Sequence, residues 1–500
     1  MDYNLILKPS TIFLIFPEIF LFVSTITLFI YAIFVQNSKI NITKDIAYLT
    51  LAILVITIVL YINSVFGNYH NMIIQDTYTI YTKIILLTLS TIVIFLSLRY
   101  LERVNILIFE YFFLILFTTN ALMLLISSFD FLLFILALEL QSMCLYGLAL
   151  LYRKSIITLE AGVKYFFLGV LSSGFFFIGM FILYFYTGTI QFDNLALFFA
   201  LESNDIFGDF SILEFPVFLG MFFILISIFF KIGIAPFHNW SPDVYEGTAL
   251  PTTVYFAVVI KFAMISVLFK MLSIPFSSLI ELWQPILVLV SAASLLIGSF
   301  SAANNIKIKR FLAYSSIAHV GFILNALSTL DNLSVAFSIF YVIIYIFLSL
   351  GIWSALLILE VGHLNKTPHI KYLTDLSGFG KTNKTIAAAL AILLFSMSGI
   401  PPLAGFYSKF FVLVNSLEHS LIGLFVISLF ASAVGAFYYL RTLKIIYFDQ
   451  INTQIFFNKM EFYNSYIFSM IIGINLLFSL FPSIIFNNAF YIAHTLLLAA

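Results

Sequence analysis

Charged residues are scarce in this chain. Lys, Arg, Asp and Glu together make up 9% of the 500 residues, whereas 62% are hydrophobic. Soluble domains usually contain about 25% charged residues. The composition therefore excludes an ordinary soluble domain and indicates an integral membrane protein.

Cysteine and the common cofactor motifs are scarce as well. The single cysteine, Cys144, lies in an apolar segment, which excludes disulfides, Cys-ligated zinc and Cys-ligated iron–sulfur clusters. There is no Walker A motif, no GxGxxG motif, no metal-ligand spacing and no nucleophile elbow. We therefore expect no cofactor, metal or phosphate site in this chain, and any redox chemistry should belong to a partner.

Long apolar runs fill the sequence instead. Because lipid cannot satisfy backbone amides and each run has 18 or more residues, the runs predict transmembrane helices rather than barrel strands. The first run has no preceding basic segment and no small-residue cleavage site, so we interpret it as a helix and not as a cleaved signal. About fourteen spans are expected, at 11–35, 46–66, 80–99, 104–127, 130–151, 161–187, 214–247 with a break, 250–272, 280–303, 311–330, 334–360, 385–417 with a break, 421–447 and 464–486.

Basic residues accumulate on alternate connections. Seventeen of the 23 fall in or beside these connections: Lys39, Lys44, Arg99, Arg103, Arg153, Lys154, Lys164, Lys307, Lys309, Arg310, Lys366, Lys371, Lys381, Lys384, Arg441, Lys444 and Lys459. The opposite side receives Lys8, Lys83 and Lys270, and it carries an acidic loop with Asp193, Glu202, Asp205 and Asp209. The positive-inside rule puts the first set in the cytoplasm or matrix and both termini on the other face. The connection 240–247 lacks basic residues and departs from this pattern.

Three lysines lie inside predicted spans. Lys231, Lys261 and Lys409 are each flanked by apolar residues, although a lysine at the bilayer centre costs about 2.5–3.5 kcal/mol or more. Snorkelling to the interface would explain one such lysine near a helix end. Three of them, two beside proline-containing segments, favour a functional role.

Two Gly-Ile-x-Pro segments interrupt the seventh and twelfth spans. Glycine lets the chain leave helical geometry and proline removes a backbone donor, so we expect breaks at Gly233 and Pro236, and at Gly399, Pro401 and Pro402. One such segment alone could be an ordinary kink. Interrupted segments at matching places in two halves are typical of inverted-repeat transporters.

Counting the spans indicates how the repeat is arranged. Spans four to eight and nine to thirteen form two sets of five, each with its break in the fourth member. Because five is odd, the second set must enter the membrane from the opposite side. We therefore predict N-terminal helices one to three in 1–103, a first repeat in 104–272, an inverted repeat in 280–447 and a fourteenth helix in 464–500.

Buried charges of both signs predict a proton relay. Glu139 lies amid apolar residues of the fifth span, and we expect it to be the only carboxylate well inside any of the first six spans. Burial would neutralise it or Lys231 if either stood alone. Paired at about 4 Å they would attract by roughly 4 kcal/mol at an effective dielectric of about 20. Opening that pair would release a proton from Lys231 toward Lys261 and Lys409. Glu139 could instead cap a backbone defect.

Other polar residues are less informative. His319 could order water along the relay or be a satisfied core histidine. Asp243 and Glu246 could draw protons inward, but their position after Ser241 and Pro242 favours capping of a short helix. Glu160 and Lys164 should form an i,i+4 pair at an interfacial helix end.

Four motifs carry a resemblance to a known family. They are LELQSMCLYGLALL, KIGIAPFHNWSPDVYEGTALPTT, KRFLAYSSIAHVGF and SGIPPLAGFYSKF. Together they resemble subunit 2 of respiratory complex I, the NADH:ubiquinone oxidoreductase, one of its antiporter-like proton-pumping subunits. Subunits 4 and 5 and bacterial cation/proton antiporters usually have an LPxAHxEAP-like second motif, whereas SPDVYEG points to subunit 2. The stretch EGTALPTT departs from the usual spacing between the glutamate and the next proline.

The resemblance implies an all-α fold of fourteen helices with two inverted five-helix repeats and discontinuous helices seven and twelve. It also implies that Glu139, Lys231, Lys261 and Lys409 are the proton path, driven by quinone reduction in other subunits. NADH, FMN, iron–sulfur clusters and ubiquinone would then belong to those partners. Other complex I membrane subunits and lipids are the expected partners, and no nucleic acid is.

Alternative functions remain at this point. The same broken helices suit a cation/proton antiporter that is not driven by redox chemistry, and a scaffold that moves no ion is a third hypothesis. The abundance of Phe, Ile, Tyr and Asn is typical of an AT-rich genome, which favours the mitochondrial inner membrane over a bacterial plasma membrane.

Overall fold

The computed structural model describes residues 9–35, 41–64, 66–69, 71–103, 109–152, 155–205, 214–359, 361–362, 370–450, 456–457 and 462–498. Helices dominate this part of the chain. They are α1 (Pro9–Val35), α2 (Asn41–Ile62), α3 (Thr77–Arg103), α4 (Phe109–Ser127), α5 (Phe131–Ala149), α6 (Ile156–Thr187), α7 (Phe192–Asp205), α8 (Glu214–Ile232), α9 (Trp240–Gly247), α10 (Leu250–Tyr255), α11 (Lys261–Ser273), α12 (Ile280–Asn304), α13 (Ile308–Leu327), α14 (Asn332–Ile358), α15 (Phe379–Thr382), α16 (Lys384–Ser398), α17 (Ala404–Glu418), α18 (Ile422–Tyr447), α19 (Phe462–Leu480) and α20 (Pro482–Leu498).

Strands are short and lie outside the helical bundle. β1 (Gly67–Tyr69) pairs antiparallel with β2 (Ile73–Gln75), and β3 (Val361–Gly362) pairs antiparallel with β4 (Phe456–Phe457). A π-helical turn, Phe256–Ile260, joins α10 to α11 into one continuous rod. Short 3₁₀ turns precede α12 and α15.

Eleven helical segments of the described chain are long and apolar enough to cross a bilayer, and α19 with α20 makes a twelfth if that bent pair is one span. The protein is thus an all-α polytopic membrane protein. The number of segments that are long and apolar enough is smaller than the fourteen spans predicted, for two physical reasons. The break between α16 and α17 leaves two helices of 15 residues each, and α13 opens with charged Lys309 and Arg310.

Two segments form the centre of the bundle. The most apolar stretch of Leu250–Ser273 is entirely buried. In the most apolar stretch of Asn332–Ile358, 94% of the residues are buried. By contrast, only a third of the corresponding part of α1, α2, α6 or α18 is buried. Polar side chains on the two central segments are therefore enclosed by protein, as the cost of exposing them to lipid requires.

Both Gly-Pro segments end a helix with the same hydrogen-bond pattern. The amides of Gly233 and Ile234 donate back to Phe229, and those of Gly399 and Ile400 donate back to Phe395. Both glycines have positive φ, +79° and +87°, which a residue with a Cβ adopts only at a cost. This is the Schellman termination of a helix. Non-helical chain then follows until α9 and α17 begin.

Several predicted elements differ from the structure. The predicted last span, 464–486, ends at Leu480, and α20 leaves it at 85°, because Pro482 cannot donate to the preceding turn and suits the first position of a new helix. The single C-terminal helix of 464–500 is therefore two. Part of the predicted acidic loop forms α7.

Some predicted features fall outside the described residues. Among the basic residues of the topology argument these are Lys8, Lys39, Arg153, Lys154, Lys366 and Lys459. Asp209 is outside as well, and the side chains of Arg103, Glu202 and Asp205 are not described. The predicted location of both termini on the less basic face thus stays a prediction.

Candidate functional site

Glu139 and Lys231 lie in electrostatic range of each other but form no ion pair within the described chain. Lys231 is in the last turn of α8, is 6% exposed and interacts with the Glu139 charge. The Glu139 side chain accepts a hydrogen bond from Ser142 at 3.3 Å, and its other oxygen, Oε1, has no hydrogen-bond partner among the described residues. The two charges are therefore coupled without a direct ion pair in this conformation.

Lys261 lies on the central rod, directly after the π-helical turn. Its ammonium donates to the Ser316 hydroxyl of α13 at 2.5 Å and lies 5.6 Å from the centre of the Tyr245 ring. The side chain is 2% exposed. A π-turn adds one residue to a helical turn and is frequent at functional sites. Here it sets the direction in which Lys261 leaves the rod.

His319 lies one turn beyond Ser316 on α13 and links three helices. Its Nδ1 is 2.8 Å from the Tyr341 hydroxyl of α14, and its Nε2 is 3.1 Å from the Tyr439 hydroxyl of α18. The ring stacks on Tyr345 at 5.2 Å. The imidazole is in electrostatic range of both Lys261 and Lys409. The Lys261 ammonium binds Ser316, one turn before His319 on α13, and the Lys409 ammonium lies 5.6 Å from the ring centre of Phe322, one turn after it. His319 thus lies between the two lysines along α13.

Lys409 reaches back from α17 to the helix on the other side of the break. Its ammonium donates to the carbonyl oxygens of Met397 and Ser398, each at 2.9 Å, at the C-terminus of α16. These carbonyls have no partner within the helix, and the C-terminal end of a helix attracts a cation. The break therefore supplies the binding site of Lys409.

Asp243 and Glu246 form ion pairs rather than caps. Arg310 binds both carboxylates, at 2.8 Å in the case of Asp243. Lys307 pairs with Glu246 and Lys164 pairs with Asp243 at 3.0 Å, while α9 has no side-chain cap. The capping interpretation is wrong because cations of distant segments outcompete local amides. Lys164 also pairs with Glu160 at 2.7 Å, which confirms the predicted i,i+4 pair.

A buried ion pair that we did not predict lies among the first three helices. Glu18 of α1 binds Lys83 of α3 at 2.5 Å, and both side chains are at most 3% exposed. Gln75 donates to the same carboxylate at 3.3 Å, and Lys83 lies 5.2 Å from the Tyr61 ring centre. Glu139 is thus not alone as a carboxylate within the first six spans. The apolar sequence on both sides of Glu18 is the signal that could have predicted this buried carboxylate.

A second unpredicted cluster surrounds Lys270 at the far end of the central rod. Its ammonium donates to the carbonyls of Ile126 and Ser128, at 2.9 and 2.7 Å, where α4 ends. Burial raises the pKa of Asp76, and the Lys270 charge partly opposes that rise. Burial and the Asp76 charge likewise raise the pKa of Asp193. Lys270 is therefore buried within the bundle, at the end of the span that was predicted to contain it.

These contacts define what the site can do chemically. Lys261, His319 and Lys409 are buried, and His319 is in electrostatic reach of both lysines. Lys261 and His319 are hydrogen-bonded to hydroxyls, which can exchange protons, whereas Lys409 is held by backbone carbonyls. Lysine and histidine can each hold or release a proton, whereas no cluster of three or more metal-ligating side chains is present in the described chain. The arrangement suits proton transfer between helices and not the binding of a metal.

Comparison with known proteins agrees with this geometry. Residues 128–435 match the family model described as "NADH:quinone oxidoreductase/Mrp antiporter, TM". That match covers more than half of the chain and includes Glu139, Lys231, Lys261, His319 and Lys409.

The chain belongs to this family. Among its relatives in the NADH:quinone oxidoreductase/Mrp antiporter family, NADH-quinone oxidoreductase subunit N of Paramagnetospirillum magneticum is 36% identical over 87% of this chain and 88% of its own. NADH-ubiquinone oxidoreductase chain 2 of Marchantia polymorpha is 35% identical over 94% and 96%.

Chains of solved membrane complexes share the fold. A chain of respiratory complex I from Thermus thermophilus matches with a TM-score of 0.76 at 24% identity, over 94% of this chain and 98% of that one. A chain of the Mrp complex from Dietzia matches with a TM-score of 0.82 at 16% identity, over 98% of both.

Proposed function

We propose that this chain is a proton-translocating membrane subunit of the NADH:quinone oxidoreductase, of the type called subunit N or chain 2. The observation that carries the proposal is the position of His319 between Lys261 and Lys409, all three buried within the bundle. Family membership and the identity with subunit N and chain 2 relatives along nearly the whole chain support it.

Glu139, Lys231, Lys261 and Lys409, with His319 as a possible connector, form the proposed relay. A proton enters the Lys231 region when the coupling to Glu139 weakens, passes to Lys261 and reaches Lys409 through the hydroxyls of Ser316, Tyr341 and Tyr439 and the imidazole of His319. Moving one charge across 100 mV costs about 2.3 kcal/mol. The interaction of a buried Glu–Lys pair changes by a similar amount, roughly 4 kcal/mol for a contact at 4 Å and a dielectric of about 20.

The two breaks have separate roles in this relay. Gly233 and Pro236 end α8 just after Lys231, so that the side chain lies at a helix C-terminus. Gly399, Pro401 and Pro402 separate α16 from α17 and expose the carbonyls that hold Lys409. Movement of either flanking helix would therefore change the environment of one lysine directly.

Fourteen transmembrane helices with two inverted repeats make up the proposed architecture. Counting α13 as a span, α16 with α17 as one broken span and α19 with α20 as another accounts for all fourteen. The first repeat, 104–272, then ends with the central rod, and the second, 280–447, ends with α18. The matching Schellman terminations before both breaks support the repeat.

Other complex I subunits hold the redox groups in this proposal. NADH, FMN, iron–sulfur clusters and ubiquinone react there, and this chain receives the energy through contacts with neighbouring membrane subunits. The mitochondrial inner membrane is the proposed location, with both termini on the intermembrane-space side, and the bacterial plasma membrane is the alternative. Lipids are its other partners, and it binds no nucleic acid.

Lys231→Met in the assembled complex tests the function. Reconstituted into proteoliposomes, the variant should lose proton transport, measured with a pH-sensitive dye, and quinone reduction should fall with it because the two are coupled. Lys384→Met is the matched control, since Lys384 is exposed at the start of α16, and it should leave both rates unchanged.

The outcome separates three functions. The fold similarity to the Mrp complex chain favours an antiporter as the second candidate. An antiporter would transport protons against a cation gradient without any quinone reaction, and Lys231→Met would abolish that transport. A scaffold would assemble and support normal pumping with Met at position 231.

A further inference from the structure

A cavity of about 470 Å³ opens among the helix ends that carry most of the basic residues. Its walls come from the segment before α6, from the link between α9 and α10, from the start of α13 and from residues 370–372. The proton path does not use it. Lys307, Lys309 and Lys371 line it together with Tyr152, Thr248 and Ile157.

Glu246, the acidic residue that lines this cavity, is already neutralised by basic side chains. Glu246 pairs with Lys307 through one carboxylate oxygen and with Arg310 through the other. Lys309 donates to the Thr248 carbonyl at 2.6 Å and is in electrostatic range of Glu246 and of Lys371. Neither Lys309 nor Lys371 forms an ion pair within the described residues. Two ammonium groups therefore face one cavity without a carboxylate of their own.

The rest of the wall is apolar or aromatic. Ile157, Leu250 and Ile370 line the cavity with Tyr152 and Tyr372. At its edge, Ile156 and Ile157 are 82% and 60% exposed at the start of α6. Tyrosine is typical of the membrane interface, and exposed isoleucine of contact with acyl chains. A soluble anion would neutralise the lysines but leave this apolar surface in water.

We infer that this cavity binds the phosphate headgroup of an anionic phospholipid. The phosphate lies between Lys309 and Lys371, and the acyl chains run along the exposed isoleucines of α6. Basic pockets between helices on the cytoplasmic or matrix side are typical sites of anionic lipids. The bound lipid would also hold the α9–α10 link against α13, because Lys309 contacts both the phosphate and Thr248.

Photocrosslinking in the assembled complex tests the site. The complex is placed in phosphatidylcholine nanodiscs that contain a photoactivatable phosphatidylglycerol, and the labelled peptides are identified by mass spectrometry. We expect labels within 155–158, 247–250 or 370–372. Unlabelled phosphatidylglycerol should compete for this labelling, and excess inorganic phosphate should not.

Charge variants test the two lysines. Lys309→Gln with Lys371→Gln should raise the phosphatidylglycerol concentration needed for half-maximal labelling by about 25-fold, since one lysine near the surface contributes about fivefold. Lys309→Arg with Lys371→Arg should retain the labelling. Lys384→Gln with Lys381→Gln removes two exposed charges from the same face outside the cavity, and it should have no effect.

Three results would overturn the inference. They are a lack of labels in the cavity peptides of the wild-type complex, competition by inorganic phosphate as effective as that by the lipid, and unchanged labelling in the double glutamine variant. If that variant fails to assemble, the wild-type competition and the arginine variant decide the question alone.

Discussion

The Lys409 ammonium donates to the carbonyl oxygen of Ser398 at 2.9 Å, across the break between α16 and α17. A second bond, to Met397, has the same length. The Lys409 charge, carried by α17, thus compensates the unpaired carbonyls at the C-terminus of α16. A proton that leaves Lys409 would weaken the contact that holds the two half-helices together, which couples protonation to their relative position.

Gly399→Ala should disturb this contact directly. A Cβ at position 399 would lie 2.9 Å from Cδ of Lys409, and the backbone has φ of +87°. We expect a loss of roughly 1–3 kcal/mol in stability from the backbone alone and a marked fall in proton transport per assembled complex. Thermal unfolding and dye-monitored transport measure the two effects.

Gly174→Ala is the control for that substitution. Position 174 lies within α6, and a Cβ there would meet nothing within 4 Å, so helix propensity should raise stability by about 0.5–1 kcal/mol. Normal transport in the Gly399 variant would contradict a role for the Lys409 geometry.

Lys261→Arg separates charge from proton exchange. Arginine keeps the positive charge and can donate to Ser316, but it does not release its proton in proteins. If Lys261 carries protons, transport and the coupled quinone reduction should fall by about 100-fold or more, the lower end of what a positioned acid–base group contributes, while assembly stays normal. Lys384→Arg should have no effect. Full transport with arginine at position 261 would show that Lys261 supplies only a fixed positive charge and does not transfer protons.

Tyr341→Phe tests His319. The substitution removes the hydroxyl at 2.8 Å from Nδ1 and leaves a buried polar atom unpaired, which costs about 1–3 kcal/mol. A connector role predicts slower transport per assembled complex, beyond any loss of stability. A purely structural histidine predicts fewer complexes, each with normal transport. Tyr491→Phe, at a position 61% exposed, controls for the loss of a hydroxyl.

Lys83→Met should strongly destabilise the N-terminal helices. It would leave the Glu18 carboxylate buried without its cation, at a cost of about 3–5 kcal/mol. The double variant Glu18→Gln with Lys83→Met should recover most of that loss, because a buried pair can be replaced by neutral groups with little net effect. A double-mutant cycle on thermal stability measures the coupling, and additive losses would argue against a direct pair.

The sequence predicted the elements of the site better than their contacts. Gly399, Pro401 and Lys409 indicate a break and a buried charge from local chemistry alone. The acceptors of Lys409 are backbone carbonyls, however, and no side-chain pattern marks them. Likewise Glu18 and Lys83 are 65 positions apart, so that only the three-dimensional arrangement of the first helices reveals the pair.

Local rules also failed where distant partners compete. Asp243 follows Ser241 and Pro242 as a capping residue would, but Arg310, 67 positions away, binds it instead. Pro482, by contrast, is a local signal that should have ended the last predicted span, because proline cannot continue a helix.

The π-helical turn at Phe256–Ile260 has a consequence for the two halves of the central rod. One additional residue rotates everything after it by about 100° about the helix axis relative to an unbroken α-helix. An unbroken α-helix over the same residues would therefore aim a different side chain at Ser316 and turn Lys270 away from the end of α4, whereas deleting one residue of the turn would remove the bulge and leave both lysines facing as they do now.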